Sequence, residues 1–578
     1  MIRLILALLI LSLAACGGDR NGTETSDESA QSAAQSQPAD APDDAAEGES
    51  GDELPTVPEP GIEAERFAEH VATLASDEYQ GRAPGTRGGR MTIDYLVRQF
   101  SEMGLAPGYG DSYLQPVPMN ELTNAERSDI RVEVGGEEKV YSYPEDMVIN
   151  SRRLGTDPQS VEDSEIVFVG YGVVAPEYDW NDYAGLDVEG KTVVILVNDP
   201  GFASGDENLF NGREMTYYGR WTYKYEEAAR QGAAAALVVH ETEPASYPWE
   251  VVVNSWSGAE FVLTSDENEP RVALEGWLTV DAARDLFTRS GQDYDALKES
   301  ARQPGFEAVS LGATANAEVR NSVRSGTSYN VLALLPGEER PDEAVIYMAH
   351  WDHLGRNMAI SGSDGIYNGA VDNASGTAGL LELARSHVRA GAADRSILFA
   401  AVTLEEYGLL GSRHYSNDPV FEPGQTVAGI NMDALTVLGP TNDVTVVGYG
   451  ASELEGILAA AAERQGRHIE QEPSPEAGYY YRSDHFNLAK IGIPALYAKG
   501  GVDHREHGRE FGLEWQAEYR AERYHKPADT WSDDWDLRGV IEDLELYYVV
   551  GRHLVESDDW PEWYEGNEFK AIREESRQ

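Results

Sequence analysis

The sequence holds a single cysteine, Cys16, in 578 residues, so no disulfide forms within one chain and no thiolate cluster is available for a structural zinc. Positive charge is also scarce, with 45 Lys plus Arg against 101 Asp plus Glu and a formal net charge of −56. Such a surface repels phosphate backbones and anionic lipid heads, which argues against nucleic-acid binding. There is no His-Glu-x-x-His pair of the common single-zinc protease design, and no internal repeat of fixed period. What is present is 41% hydrophobic and 9% aromatic residues, enough apolar material for two or three globular units. The acidity reads as a solvated surface, since attraction of cationic peptides is screened beyond about 8 Å at physiological ionic strength.

Met1-Ile2-Arg3 precede the apolar run from Leu4 to Ala15, which is too short to span a bilayer and suits a signal peptide over residues 1–15. The run ends Leu13-Ala14-Ala15-Cys16-Gly17, which resembles a bacterial lipobox, so Cys16 would carry a lipid and become the mature N-terminus. Position 17 is Gly rather than the Asp of an inner-membrane retention signal. The expectation is an exported, lipid-anchored protein of the cell envelope, in the outer membrane of a Gram-negative bacterium, meeting the membrane only through Cys16. Residues 16–60 are mostly Ser, Ala, Gly, Asp, Glu and Pro, a composition that cannot bury enough surface to fold and reads as an acidic tether.

Beyond the tether, Glu63 to Leu74 has helical apolar spacing and leads through a turn-rich loop, Ser76 to Thr86, to a second helix from about Gly89 to Met103. From about Ser164 the pattern becomes short apolar strands: Ile166 to Val169, Gly172 to Val174 and Thr192 to Val197. A helix from Tyr223 to Gln231 then delivers the small-residue run Gly232 to Ala236 into a buried strand. This stretch has no clustered His, Asp or Glu at ligand spacing and reads as a β-rich accessory domain, residues 146–314, inserted between two segments of another fold, 61–145 and 315–560. Residues 561–578 remain as a C-terminal tail.

In the second segment strands alternate with helices: Asn330 to Leu335, Ala344 to Ala349, helix Ser375 to Ala390, Ile397 to Leu404, Val427 to Met432, helix Glu453 to Gln465, Ala495 to Ala498, and a closing helix Val540 to Ser557. The strands are apolar without alternation, which implies a sheet covered on both faces. The predicted fold is a three-layer α/β/α sandwich with a mixed central sheet. Three of its strands run into His350, Glu405-Glu406 and Asp433, and ligands bind at the carboxyl ends of strands in open α/β sheets. Asp372 directly precedes a helix. Each residue alone has an ordinary role, as a helix cap, a turn residue or a solvated pair. Together they form a dense set of carboxylates that needs a compensating cation, and His nitrogen with Asp or Glu oxygen is the ligand inventory of zinc.

Five motifs, His350-Trp351-Asp352-His353, Asp372-Asn373-Ala374-Ser375-Gly376, Glu405-Glu406, Asn431-Met432-Asp433 and Tyr524-His525-Lys526-Pro527-Ala528-Asp529-Thr530, resemble the successive motifs of the co-catalytic dizinc aminopeptidase family. That family also contains glutamate carboxypeptidase and transferrin receptor. The resemblance covers about residues 60–145 and 315–560, and the insert resembles the protease-associated domain of many members. The resemblance implies two Zn²⁺ per chain, with Asp372 bridging them, His350 and Asp433 completing one site, and Glu406 and His525 the other. It implies that Asp352 orients His350, that Glu405 is the general base, and that Tyr524 donates to the developing oxyanion.

The function this resemblance implies is a zinc exopeptidase acting on peptides, foremost an aminopeptidase. A carboxypeptidase or dipeptidase, a glutaminyl cyclase and a catalytically silent binding protein are the alternatives, the last disfavoured by intact ligands. No arginine cluster is evident that would demand a C-terminal carboxylate, although Arg356, Arg413, Arg482 and Arg505 stand within reach of the candidate pocket segments. His504, Glu506 and His507 match no ligand position and read as a polar loop; Asp484 and His485 are candidate pocket residues.

Overall fold

In strand Arg340–His350 the buried side chains divide between two cores, Val345, Tyr347 and Ala349 on one face and Ala344, Ile346 and Met348 on the other. Successive residues of a strand point to opposite faces, so an apolar run without alternation requires cover on both. Helices Ala64–Leu74, Gly376–Ala390, Leu454–Arg464 and Arg538–Glu556 supply the first cover. Residues of the shorter helices Leu410–Asn417 and His485–Lys490, with Phe421 and Ile493, supply the second. The expected three-layer α/β/α sandwich is therefore present. This is a computed structural model; it describes Leu54 and residues 56–578 except 156, 186, 207, 257, 358, 359 and 361. The expected signal peptide, the lipid site Cys16 and nearly all of the tether lie outside the described residues.

The central sheet is mixed. Leu114–Arg127 pairs antiparallel with Val309–Leu335, whose far end pairs antiparallel with Arg395–Val402. Next come Arg340–His350, Thr426–Asn431 and Ala495–Gly500, all parallel, then Asp443–Val446, antiparallel, and His468–Gln471. Arg395–Val402, Arg340–His350 and Thr426–Asn431 are thus parallel neighbours, and their carboxyl ends share one edge of the sheet.

The long pair Leu114–Arg127 and Val309–Leu335 leaves this sheet as a twisted ribbon and carries the inserted unit. The insert is more helical than its sequence pattern implied. Gln159–Phe168, Thr192–Leu196, Ala235–His240 and Leu274–Thr279 form a parallel sheet, with Met147–Asn150 antiparallel at its edge. Helices including Trp221–Arg230 and Val280–Arg289 pack on it. Insert and sandwich belong to one body, residues 52–578. Across their junction Lys526 Nζ lies 3.0 Å from Glu250 and Arg413 Nη1 3.3 Å from Asp266, and Tyr217 packs on Phe486.

Residues 561–578, expected as a tail, are part of the sandwich. Trp563 is buried and donates to the Gly492 carbonyl at 3.0 Å. The buried Arg573, in helix Lys570–Ser576, donates to the carbonyls of Pro423, Thr426 and Val427 at 2.9–3.1 Å. A charged donor satisfying three carbonyls at a strand start has no solvent substitute there. Arg573→Met is expected to cost about 3 kcal/mol of stability or more, since each of the three carbonyls left without a donor costs about 1–3 kcal/mol; urea unfolding midpoints of variant and parent measure it.

Candidate metal centre

The three parallel strands deliver their side chains to one point. His350 is the last residue of its strand, Asp433 follows Asn431 by two positions, and Glu405 begins a turn three residues past Val402. Leu404, at the strand-to-turn switch, has φ of 60°, and His525, in the loop after helix Gly508–Glu522, has φ of 55°. Left-handed backbone at branched or bulky residues carries strain that the surroundings must hold, and such strain clusters at functional sites.

Asp372 sits between the two histidines. Its Oδ1 lies 3.4 Å from His350 Nε2 and its Oδ2 3.3 Å from His525 Nε2. His350 Nε2 is also 3.2 Å from Asp433 Oδ1 and 3.9 Å from Glu405 Oε2, whereas His525 Nε2 is 3.0 Å from Glu406 Oε2. One carboxylate therefore faces two imidazole–carboxylate pairs. Ligand atoms of His350, Asp372 and Glu406, and of His350, Glu405 and Asp433, also fall within 4.8 Å of one another. All five residues expected as ligands are brought together, with Glu405 beside them.

The loop carrying Asp372 is fixed by its backbone. The N–H groups of Val371 and Asp372 donate to the buried Asp529 carboxylate at 3.0–3.2 Å. Asn373 donates to the Met432 carbonyl at 3.0 Å and accepts from the Ala434 N–H at 3.1 Å, tying Asp372 to the Asp433 segment. Gly369 has φ of 52°, and a Cβ there would lie 2.5 Å from the His353 ring, so no side chain fits. Behind the loop the buried Arg82 donates to the carbonyls of Leu74, Trp351, Asn368 and Gly369 at 2.6–3.0 Å.

Burial opposes charge on Asp352, Asp484, Glu405 and His525. It pushes the Asp352 carboxyl up to about 8 and that of Asp484 up to about 7, with His350 relieving each in part. Burial, with Asp433 and Glu406 adding repulsion, raises Glu405 well above the usual carboxylate range despite His350. Burial disfavours a charged His525 too, yet Glu406 and Asp372 push it up to about 10. The cluster thus gathers protons onto its imidazoles to offset carboxylates, which is the positive charge a pair of divalent cations supplies. Two histidines and carboxylates without thiolate fit zinc in donor type.

The supporting residues depart from expectation in detail. His350 Nδ1 meets the Asp352 backbone oxygen at 3.2 Å, while the Asp352 carboxylate is 3.9 Å away and accepts from the Glu405 N–H at 3.1 Å. Asp352 thus orients His350 through its carbonyl and Glu405 through its side chain. His353, given no role by its motif, is fully buried and its Nδ1 makes a short contact with Glu406 Oε1, the oxygen turned away from His525. Tyr524 stacks on His525 with ring centroids 3.9 Å apart and lines the cavity. Asp484 and His485 are not pocket residues: both are fully buried, Asp484 against Ser412 and His485 against Tyr480 and Tyr497. His504, Glu506 and His507 form a loop in which His504 Nδ1 accepts the N–H groups of the other two at 3.1 Å.

Comparison with known proteins agrees with this geometry. A family model described as Peptidase family M28 matches residues 330–549. The chain carries a peptidase family M28 domain. Aminopeptidase NAALADL1 of Mus musculus is 31% identical over 169 residues, which are 28% of this chain and 20% of that protein. A probable zinc metalloprotease of Pyrenophora teres f. teres is 38% identical over 105 residues, 18% of this chain and 22% of that protein. The chain thus spans about a fifth of the curated relatives it matches. Among solved structures, an aminopeptidase from Aneurinibacillus sp. strain AM-1 superposes with TM-score 0.50 at 20% identity over 86% of this chain and 95% of that one, a likeness of fold. The M28 match begins after Arg82 and the insert, so the carbonyl clamp behind the Asp372 loop comes from outside it.

Because His353 holds the far oxygen of Glu406, its loss frees that carboxylate to rotate out of the M28 centre. His353→Ala is expected to weaken zinc binding by about 10–100-fold, measured by competition with a chelating dye.

Proposed function

We propose that the chain is a zinc-dependent aminopeptidase that removes N-terminal residues from peptides. The observation that carries this reading is Asp372, whose two oxygens each face a separate imidazole–carboxylate pair. Asp372, His350 and Asp433 would hold one ion and Asp372, Glu406 and His525 the other. Zinc, when bound, supplies Lewis-acid polarisation of the scissile carbonyl and lowers the pKa of water.

The remaining steps belong to the chain. Glu405 lies beside His350 and Asp433, is the base rather than a ligand in the family pattern that the sequence resembles, and lines the cavity. As general base it takes one proton from the attacking water while the new C–O bond forms. It then returns that proton to the leaving amine as the C–N bond breaks. Tyr524, raised well above the ordinary phenol range by burial and by Asp372 and Glu406, stays protonated and can donate to the oxyanion. The cavity of about 960 Å³ between sandwich and insert admits a peptide end, and the carboxylates at its floor favour a free α-amine there. The names of the similar aminopeptidases support the same choice over a carboxypeptidase or a cyclase.

The export signal, a lipid at Cys16, an envelope location and the protease-associated character of the insert are part of this proposal. Palmitate incorporation that vanishes in Cys16→Ser would support the anchor; incorporation that persists would overturn it.

Mass spectrometry of a peptide and its N-acetylated twin, incubated with zinc-loaded protein, tests the activity. Shortening from the N-terminus of the free peptide alone is expected; C-terminal shortening of both would mark a carboxypeptidase. Glu405→Gln is expected to lower kcat by about 10²–10⁴-fold, the range of general acid–base catalysis, with bound zinc unchanged. Full activity in that variant would place the base elsewhere.

A further inference from the structure

The turn that carries Glu405 and Glu406 is bent at both ends. Leu404 has φ of 60°, Gly408 of 103° and Leu409 of 60°. Between them Glu405, Glu406 and Tyr407 stand on a tight loop closed by its own backbone: the N–H groups of Gly408 and Leu409 donate to the Glu405 carbonyl at 3.0 and 2.9 Å, and that of Leu410 to the Leu404 carbonyl at 3.1 Å. Left-handed backbone at two leucines is costly and persists only where the surroundings hold it. Glu405 and Glu406 line the cavity, whereas Tyr407 does not. Its ring turns onto Phe261 of the insert, with centroids 4.5 Å apart and planes at 66°, an edge-to-face geometry that favours aromatic pairs beyond their buried area.

The cover beneath this turn comes from outside the M28 match at residues 330–549. Leu404 and Leu410 share a small core with Val117 and Met119 of the ribbon and with Phe261 and Leu263 of the insert, and Tyr407 packs against it. So small a core has few neighbours that could close a gap left by a missing ring. Phe261 is buried and, like Tyr407, does not line the cavity. Its strand, Glu260–Leu263, pairs antiparallel with Met119 to Leu122 of the ribbon. On the strand's other face the buried Glu260 accepts from Asn150 at 3.1 Å and from Arg152 at 3.3 Å, which ties the strand to the insert's own sheet. Just past the strand, Asp266 and Glu269 hold Arg413, on the helix Leu410–Asn417 that leaves the turn. The insert therefore grips the turn at Tyr407 and again at the helix behind it.

We propose that Phe261, reaching from the insert, is a positioning residue for Glu405 and Glu406: through Tyr407 it fixes the turn that carries the base and one carboxylate of the metal centre. The role of Glu405 rests on the aminopeptidase reading; the hold on Glu406 does not. The insert is then part of the catalytic apparatus through a contact that never touches substrate. Because neither ring meets the cavity, its effect falls on the chemical step and on metal affinity rather than on the fit of the peptide. A displacement of about 1 Å at a reacting group costs about 10²-fold in rate.

The test uses full-length protein carrying Phe261→Ala, Tyr407→Ala, both together, or Phe168→Ala, which removes a fully buried ring packed on Phe287 and Phe306 elsewhere in the insert. Zinc affinity is read by competition with a chelating dye, and kcat and KM are read for Leu-Gly-Gly at saturating zinc. Phe261→Ala and Tyr407→Ala are each expected to lower kcat by about 10–100-fold with KM within about twofold of the parent, and to weaken zinc binding by about tenfold. The double variant should lose no more than the worse single, because the two rings act through one contact, and Phe168→Ala should keep the parent's kcat and zinc affinity. Should either alanine variant in the insert fail to fold, leucine at the same two positions replaces them, with the loss at Phe261 smaller and that at Phe168 again absent. Parent values in the Phe261 variant, losses that multiply in the double variant, or an equal loss in the Phe168 variant would overturn the proposal. If the parent leaves Leu-Gly-Gly uncleaved, the aminopeptidase reading falls and zinc affinity alone decides. Weaker binding in the Phe261 variant than in the Phe168 variant then supports the proposal, and equal binding overturns it.

Discussion

The repulsion among Asp372, Glu405, Glu406 and Asp433, packed with His350 and His525 at one buried edge, is the constraint on which the rest of this structure depends. Four carboxylates so placed cannot all ionise in low dielectric without positive charge among them. Every nearby element serves to hold the groups there in spite of this: Asp529 and Asn373 through the backbone of the Asp372 loop, and Arg82 through four carbonyls from the opposite side. A cluster so costly in protons alone becomes favourable once divalent cations sit in it, and a site in that condition can polarise a carbonyl and activate water.

The second constraint is enclosure. The ribbon formed by Leu114–Arg127 and Val309–Leu335 is hydrogen-bonded along its length, which makes it a stiff arm rather than a loose linker. It sets the insert against the mouth of the centre, where Lys526–Glu250 and the Arg413 pairs fasten the two sides. Lys526 directly follows His525, so the same loop that presents an imidazole to Asp372 is tied to the insert. Positioning of the site and closure over it are therefore mechanically connected.

The sandwich was legible because its central strands are buried on both faces, and a continuous apolar run ending in His, Glu or Asp is a strong local signal. His525 was legible only through its motif, since it stands in a loop with no periodicity around it. The short strands Asp443–Val446 and His468–Gln471 escaped notice, being four residues each at the sheet's far edge. The packing of residues 561–578 was hidden because it depends on Arg573 meeting carbonyls some 150 positions earlier in the chain. Asp484 and His485 show the converse, residues adjacent in sequence to pocket-lining Ser483 and Phe486 whose side chains turn into the core.

The central claim is that one carboxylate organises two metal sites, and zinc-edge anomalous diffraction from crystals grown with zinc tests it most directly. The account predicts two anomalous peaks, one beside each oxygen of Asp372, the first also contacted by His350 and Asp433 and the second by Glu406 and His525. A single peak, or two peaks that leave Asp372 uncoordinated, would contradict it.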